Sequence, residues 1–240
     1  MRYLLNFSYD GTNYFGYAKQ PNKISIQEEV ETKLSTILNT EIKISASGRT
    51  DKGVHAINQF AHFDFKEEID NEKVRHSLNK MLPNDIFIKS ISNVDDNFHA
   101  RFSASCKTYL YVIKIGDYDL FNRDREMNIY SLNIDKIIEA SSLFIGEHNF
   151  QNFCSKNDDI DYVRNIFGIK IYQENSRIYL EFSGNGFMKY QVRKIVGTLI
   201  EFAKGKIDTD YIKNMLNKKE RDIVPYTAEP QGLYLKDIRY

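Results

Sequence analysis

Hydrophobic and polar residues alternate in several short stretches of the chain, and each of these stretches predicts a β-strand. In the first hundred residues the stretches are "RYLLNFSYDG", "EIKIS", "INQFAHFDF" and "IFIKSISNV". Two further stretches, "SIQEEVETKLSTIL" and "NEKVRHSLNKML", have the spacing of helices; Ser25 and Glu28 fit a capping box, and Pro83 must end the second helix. The resulting order of strand, helix, strand, strand, helix, strand is that of a ferredoxin-like unit.

The second half of the chain repeats this theme loosely. Strands are predicted at "KTYLYVIKI", "VRNIFGIKIYQ", "RIYLEFSG" and "GLYLKDIRY", and helices at "NIDKIIEASSLFIG", "GFMKYQVRKIVGTLIEFAKG" and "DTDYIKNMLNKK". We therefore expect the α/β (α+β) class, with an N-terminal ferredoxin-like half over residues 1–105 and a C-terminal α/β half over residues 106–240. The acidic run at residues 157–161 is most simply a solvated loop.

Composition restricts the class of protein more than its function. The 240 residues are 42% hydrophobic and 28% charged, which is typical of a globular chain. The 33 basic and 33 acidic residues cancel, so nucleic-acid binding would require cations gathered on one face. Cys106 and Cys154 fit neither a disulfide framework nor a zinc site. The short apolar start and the lack of any stretch of about 20 apolar residues predict a soluble, cytoplasmic protein.

The segment "GRTDKGVHA" contains an aspartate, Asp51, that has two interpretations. As a turn residue it would cap backbone amides, and the glycines on either side would supply unusual dihedral angles. As a functional residue it would lie at the end of a strand, where functional loops concentrate. Arg49 and Lys52 flank the carboxylate and would favour its ionised form by lowering its pKa. Such a carboxylate suits a nucleophile better than a general acid.

A second candidate feature is the cationic start of "GFMKYQVRKIVGTLIEFAKGK". Lys189 and Arg193 are four residues apart, on a different face from the apolar stripe of the predicted helix. Like charges at this spacing are destabilising, and the helix dipole disfavours cations in the first turns. Between residues 186 and 206 there are five cations and one anion. A solvated basic face and a contact with phosphate, or with the Asp51 carboxylate, both remain open.

The strand "KTYLYVIKI" carries tyrosines at alternate positions. Tyr109 and Tyr111 share one face with Lys107, and a sheet face of aromatic and cationic residues can stack nucleotide bases. Packing against a helix is the preferred interpretation for Tyr111, whereas Tyr109 remains open. The five histidines lack metal-ligand spacing, and the sequence has no P-loop and no GxGxxG motif.

Taken together, these segments carry a specific resemblance. "GRTDKGVHA" resembles the signature of the TruA-type tRNA pseudouridine synthases, which is close to GRTDxGVHA. Six more blocks of the chain match that family in order: "YDGTNYFGY", "SIQEEVE", "FHARFSASCKTYLYVI", "GEHNFQNF", "GNGFMKYQVRKIVGTLI" and "GLYLKDIRY". Six ordered blocks are far more specific than one short motif. The sequence departs from the family pattern at Tyr17, where Trp is usual, and at "YTAEPQGLYL".

The resemblance assigns roles to individual residues. It implies that Asp51 is the catalytic nucleophile, that Tyr109 packs on the target uridine, and that Arg193 is a partner of the catalytic carboxylate. It also implies that Arg49 helps to displace the target base and that Leu233 lines the pocket. From their charge and position, Lys52 and Lys189 are further candidates for RNA contact.

The resemblance also implies an architecture and a substrate. Family members have two ferredoxin-like halves that share a mostly antiparallel sheet, with helices packed on it and a central RNA-binding cleft. They are homodimers bridged by tRNA, they isomerise uridines at positions 38 to 40 of the anticodon stem-loop, and they use no cofactor and no catalytic metal. Two alternatives are the same chemistry on ribosomal RNA and a non-catalytic RNA-binding module.

Overall fold

A computed structural model describes residues 1–156 and 161–240. The strands in this part of the chain are β1 (Arg2–Tyr9), β2 (Ser45–Ala46), β3 (His55–Asp64), β4 (Ile86–Val94), β5 (Cys106–Ile115), β6 (Met127–Ile129), β7 (Gly146–Asn149), β8 (Val163–Glu174), β9 (Arg177–Gly184) and β10 (Leu233–Arg239). The helices are α1 (Ile26–Leu38), α2 (Asn71–Met81), α3 (Ile134–Ser141), α4 (Gln191–Ala203) and α5 (Thr209–Asn217). None of these helices has both the length and the apolar character that crossing a bilayer requires.

The described residues form two compact units, one of residues 1–105 with 234–240 and one of residues 106–233. In the first unit, β1 lies antiparallel between β4 and β3, and β3 also pairs with β2 and, in parallel, with β10. In the second unit, β9 lies antiparallel between β5 and β8, β7 pairs with β8, and β6 runs parallel to β5. The mixed α/β class with mostly antiparallel pairing is thus confirmed.

The final strand departs from the predicted division at residue 105. Tyr234 pairs with His55 and Leu235 with Ala56, so residues 234–240 group with the first unit. The physical reason is that strand pairing joins residues far apart in the sequence, which a division by chain position cannot anticipate.

The core of the first unit follows the predicted periodicity. Along β1 every second side chain is buried, and α1 buries Ile26, Val30 and Leu34 at helical spacing. The hydroxyl of Ser25 accepts a hydrogen bond from the Glu28 N–H, so the predicted N-terminal cap is present. Helix α2 ends at Met81, as expected from Pro83.

The predicted strand "EIKIS" is largely absent, since only Ser45 and Ala46 pair with β3. The preceding backbone amides bond instead to side chains of α1. The Ile42 N–H donates to the Ser35 hydroxyl (2.9 Å) and the Ile44 N–H donates to the Glu31 carboxylate (2.9 Å). These bonds satisfy the amides without a β-ladder, which an alternating pattern cannot reveal.

Helix α4 begins five residues later than predicted. Tyr190 has φ 67°, in the left-handed region, and precedes the first helical residue, Gln191. The Gln191 side chain accepts a hydrogen bond from the Met188 N–H (2.9 Å), so these residues form a turn ahead of the helix. Lys189 therefore lies outside α4, and the expected pairing of Lys189 and Arg193 on one helical face is wrong.

In the second half, one predicted helix is shorter than expected and one predicted loop is described only at its end. The helix predicted over 133–146 is α3 only to Ser141, followed by a 3₁₀ turn over Ser142–Phe144 and the start of β7. The acidic run at 157–161 lies outside the described residues except for Asp161, whose carboxylate accepts a hydrogen bond from the Val163 N–H (2.9 Å).

A glycine in α4 lets a chain segment approach the helix closely. A Cβ atom built on Gly197 would lie 2.9 Å from the carbonyl carbon of Tyr226 and 3.0 Å from the nitrogen of Thr227. The same segment is tied to the helix by two reciprocal bonds, from the Arg193 Nε to the Ala228 oxygen (2.8 Å) and from the Ala228 N–H to the Arg193 oxygen (2.9 Å). The segment and the first turns of α4 therefore hold each other in place.

The loop after β1 contacts the start of β3. The His55 Nδ1 lies 3.2 Å from the Asp10 Oδ1 and 3.0 Å from the Gly11 nitrogen. The hydrogen bond with His55 lowers the pKa of Asp10, and bonds from Thr12 act in the same direction. A Cβ atom on Gly11 would overlap the Val54 carbonyl oxygen at 2.1 Å, so the contact requires glycine.

We expect Gly197→Ala to destabilise the protein by about 1–2 kcal/mol. Alanine favours a helix by about 1 kcal/mol over glycine, but overpacking against rigid backbone atoms costs more. Urea unfolding of the variant measures the difference. The matched control is Gly168→Ala, where no atom lies within 4 Å of the added methyl group; an equal loss of stability in both variants would contradict the explanation.

We expect Asp10→Asn to lower the free energy of unfolding at pH 7 by about 1–2 kcal/mol, because a hydrogen-bonded carboxylate that is 27% exposed is lost. Since the folded pKa of Asp10 is depressed, its stabilisation is present above the unfolded pKa, near 4, and disappears as the pH falls towards the folded pKa. The difference between wild type and variant should thus shrink below about pH 4. Asp117→Asn, at an exposed position, is the control for the loss of one surface carboxylate.

Candidate active site

Asp51 lies on a tight turn between β2 and β3. The Val54 N–H donates to the Asp51 carbonyl oxygen (3.1 Å), and Gly53, two residues after Asp51, has φ 75°. A positive φ at that position is typical of a type II turn and favours glycine. Asp51 is neither buried nor fully exposed. The segment is a turn, as one interpretation predicted, and the partial exposure of Asp51 is compatible with the functional interpretation.

Hydrogen bonds with polar groups of the core hold the residues that lead into the turn. The Gln59 side chain donates to the Gly48 carbonyl oxygen (2.9 Å), and the hydroxyls of Tyr9 and Thr50 are hydrogen-bonded (2.8 Å). Gln59 is fully buried, and burial raises the pKa of Tyr9 to about 12, so its phenol keeps its proton. The sequence motifs predict no role for these three side chains. The available signal was that Gln59 shares the alternate positions of Ala61 and Phe63, which form the apolar face of this strand.

A second glycine brings the loop after β1 against the turn. Gly16 has φ 97°, and a Cβ atom there would lie 2.8 Å from the Thr50 carbonyl oxygen and 3.3 Å from the Asp51 carbonyl carbon. The same Thr50 oxygen accepts a hydrogen bond from the Tyr17 N–H (3.0 Å). This contact explains the spacing of "YDGTNYFG": its last glycine is required where the loop touches the backbone of Asp51.

Arg49 and Lys52, the predicted cationic neighbours of Asp51, are both exposed. The Lys52 ammonium lies over the ring of Phe15, 4.4 Å from its centroid. The first unit therefore presents one carboxylate and two cations on a single supported turn.

The remaining predicted residues lie in the second unit. Tyr109, on β5, is 8% exposed, and its ring meets that of Phe187 edge-on at 5.2 Å. Leu233 is buried at the start of β10. Tyr111 is fully buried, as expected of a packing residue, and its hydroxyl donates to the Glu229 carbonyl oxygen (2.7 Å); its packing against a helix stays a prediction.

Tyr190 brings Lys189 and Arg193 together. The Lys189 ammonium lies 5.0 Å from the Tyr190 ring centroid, and the Arg193 guanidinium carbon lies 5.3 Å from the same centroid. With its Nε bonded to the Ala228 oxygen, the Arg193 side chain is fixed at two points. The left-handed conformation of Tyr190, rather than a helical face, is what places the two cations near each other.

The expected excess of positive charge along α4 is reduced by local pairing. Lys204 and Lys206 both contact the Glu201 carboxylate, at 2.9 and 2.8 Å. Lys194 is buried, donates to the Val224 oxygen (2.6 Å), and has its pKa lowered by burial. Lys189 and Arg193 are thus the cations of this segment that remain candidates for contact with an anion.

A depression in the second unit adjoins Arg193. It is lined by Cys154, Ser155, Lys156, Tyr190, Arg193, Lys194, Ile223 and Thr227. Its cations suit an anionic ligand. Over residues 1–156 and 161–240, His, Cys, Asp and Glu side chains do not come together in groups of three that could hold a metal ion.

Comparison with known proteins identifies the family. The family model described as "tRNA pseudouridine synthase" matches residues 6–103 and 140–240. A protein of Listeria monocytogenes named tRNA pseudouridine synthase A is 40% identical over 100% of this chain and 99% of its own length. Proteins of the same name from an Exiguobacterium and a Geobacillus are also 40% identical, over 100% and 97% of this chain and 98% and 96% of their own lengths.

A structural search gives a weaker likeness. The crystal structure of a Cbf5-Nop10-Gar1 complex aligns with a TM-score of 0.37 at 13% identity, over 82% of this chain and 54% of that one. This value is too low to support a conclusion. The family model and the relatives, which match over nearly the whole chain, show that the protein belongs to the tRNA pseudouridine synthase family.

Proposed function

We propose that this protein converts uridine to pseudouridine at positions 38 to 40 of the tRNA anticodon stem-loop, with Asp51 as the nucleophile. The observation that carries the proposal is the placement of Asp51 on a partly exposed turn whose backbone is held by buried groups. The similarity to tRNA pseudouridine synthases over the full chain supports the chemistry. We further propose that the enzyme acts in the cytoplasm as a homodimer bridged by tRNA.

A carboxylate suits this reaction. Pseudouridine formation breaks the bond from the ribose C1′ to the uracil nitrogen and forms a bond from C1′ to a carbon of the same base. A carboxylate can add to the base or to the sugar, or can help remove a proton from the ribose. Each route requires the oxygen atoms to be held close to the target nucleotide, and a turn fixed by several backbone hydrogen bonds provides this preorganisation.

The target base must leave its stack before it can react. Extrusion costs a few kcal/mol, and stacking on an aromatic ring offsets part of this cost. In the proposal, Tyr109 packs on the extruded uridine and Leu233 lines the pocket. Arg49 displaces the base and fills the space that it leaves, while Arg193 pairs with the catalytic carboxylate.

Phosphate contacts complete the proposed interface. Lys52 and Lys189 would bind the RNA backbone, which carries no sequence information. Contacts of this kind suit an enzyme that accepts several neighbouring positions. The proposal needs no cofactor and no metal ion.

We expect Asp51→Asn to lower the rate of pseudouridine formation in tRNA by at least about 10³-fold, because the amide can neither act as a nucleophile nor accept a proton. The dissociation constant for tRNA should change little, since the substitution preserves shape. Single-turnover assays with radiolabelled tRNA measure the rate. Asp96→Asn, an exposed position of the same unit, is the control. Substantial isomerisation by the Asp51 variant would overturn the assignment.

The target is tested in cells that lack the protein. We expect pseudouridine to disappear from positions 38 to 40 of tRNA and to remain in ribosomal RNA. Mapping pseudouridines by chemical modification and sequencing measures both. Loss of pseudouridine only from ribosomal RNA would identify ribosomal RNA as the substrate. Unchanged pseudouridine in both RNAs would favour a non-catalytic RNA-binding module.

A further inference from the structure

An aromatic ring beside the Asp51 turn is contacted by two lysines. Phe15 is 36% exposed, with the Lys23 ammonium 4.3 Å and the Lys52 ammonium 4.4 Å from its ring centroid. Within residues 1–156 and 161–240, neither lysine has a carboxylate within 4 Å. The Phe15 ring and the Lys23 and Lys52 ammonium groups form what we call the Phe15 cluster.

Two turns of the same kind build this cluster. Lys23 ends the turn "QPNK", in which Pro21 fixes its own φ and Asn22 has φ 58°. Lys52 lies in the Asp51 turn, in which Gly53 has φ 75°. Phe15 is tied to the first of these turns, because its N–H donates to the Ile24 oxygen (3.0 Å) and its carbonyl oxygen accepts from the Gln20 side chain (2.8 Å). The cluster is therefore positioned by backbone geometry.

The electrostatics of the cluster favour an anion. The two ammonium nitrogens lie within about 9 Å of each other, given their distances to one centroid. This upper limit is close to the screening length of about 8 Å at physiological ionic strength, so salt reduces the repulsion between the two ammonium groups but does not abolish it. The face of Phe15 offsets part of this repulsion. A phosphate group would neutralise the two charges, and because Phe15 is 36% exposed a nucleotide can reach its side chain.

We propose that the Phe15 cluster is a subsite for one nucleotide of the RNA, next to the target uridine, and this rests on the function proposed above. Lys23 and Lys52 contact the phosphates on either side of that nucleotide, and Phe15 stacks against its base. Stacking of this kind tolerates any base, because every base has a π-face. The subsite would therefore fix the position of the strand without restricting its sequence.

Proximity to Asp51 argues for this role over a general basic surface. Lys52 directly follows Asp51, and Gly16, which directly follows Phe15, touches the Thr50 and Asp51 backbone. A nucleotide held by Phe15 would thus be bound close in the fold to the Asp51 turn, because residue 16 contacts the backbone of Thr50 and Asp51. Exposed lysines elsewhere in the first unit, such as Lys43 and Lys66, have carboxylates within 3.5 Å and lack an aromatic partner among the described residues.

The test compares two double variants that remove the same charge. The dissociation constant for tRNA is measured between about 50 and 200 mM salt, where each phosphate contact to a single strand contributes about 0.7 to the slope of log affinity against log salt concentration. We expect Lys23→Ala with Lys52→Ala to reduce the slope by about 1.4. We expect Lys43→Ala with Lys66→Ala to leave it unchanged.

Substitutions of Phe15 separate stacking from charge. Phe15→Ala should weaken tRNA binding about tenfold with the wild-type salt slope, because stacking is lost and no phosphate contact is removed. Phe15→Trp should keep wild-type affinity, and Phe15→Leu should behave like the alanine variant. Thermal unfolding of each variant checks that the loop is intact.

The outcomes separate the subsite from the proposed function. If both double variants have the same slope, or if Phe15→Leu binds like wild type, the subsite is refuted while pseudouridine formation by the wild type still supports the enzyme. If the wild type forms no pseudouridine in tRNA but the slope falls only for the Lys23 and Lys52 pair, the proposed reaction fails and the RNA contact stands.

Discussion

The close contact of Gly16 with the Thr50 carbonyl group is the constraint on which the geometry of the candidate nucleophile depends. The Thr50 oxygen accepts a hydrogen bond from the Tyr17 N–H, and a side chain at position 16 would lie 2.8 Å from it. The loop after β1 contacts the backbone on either side of Asp51. These contacts restrict the backbone conformation of the residue that carries the carboxylate. Precision of this kind is what catalytic groups require.

The buried groups beneath the turn have a similar effect. Gln59, Tyr9 and Thr50 satisfy one another and the Gly48 carbonyl group inside the core of the first unit. A satisfied buried hydrogen bond contributes only about 1 kcal/mol, whereas a buried polar group without a partner costs about 1–3 kcal/mol. Such a network adds little stability in total, but any displacement of the turn would break it. It therefore specifies one position of the loop that carries Asp51.

In the second unit, the cations are placed by backbone features outside the helix. Tyr190, in the left-handed region, ends the turn before α4, and its ring is contacted by both Lys189 and Arg193. The segment at Ala228 then fixes the Arg193 side chain through its Nε, which Gly197 permits by leaving room for that segment. Lys189 lies before the first residue of α4, and the Arg193 side chain is held by an aromatic ring and a carbonyl group.

The sequence by itself determined the order and type of most elements, the Ser25 cap, the end of α2 and the identity of the motif around Asp51. These properties depend on neighbours a few residues apart, so periodicity, capping residues and turn residues reveal them. Only the tertiary structure decided that "EIKIS" bonds to α1 rather than extending β2, that α4 begins at Gln191, and that Lys204 and Lys206 pair with Glu201. It alone brought Lys23 and Lys52 to the ring of Phe15, because contacts between residues far apart in the chain depend on how the elements pack and leave no local pattern.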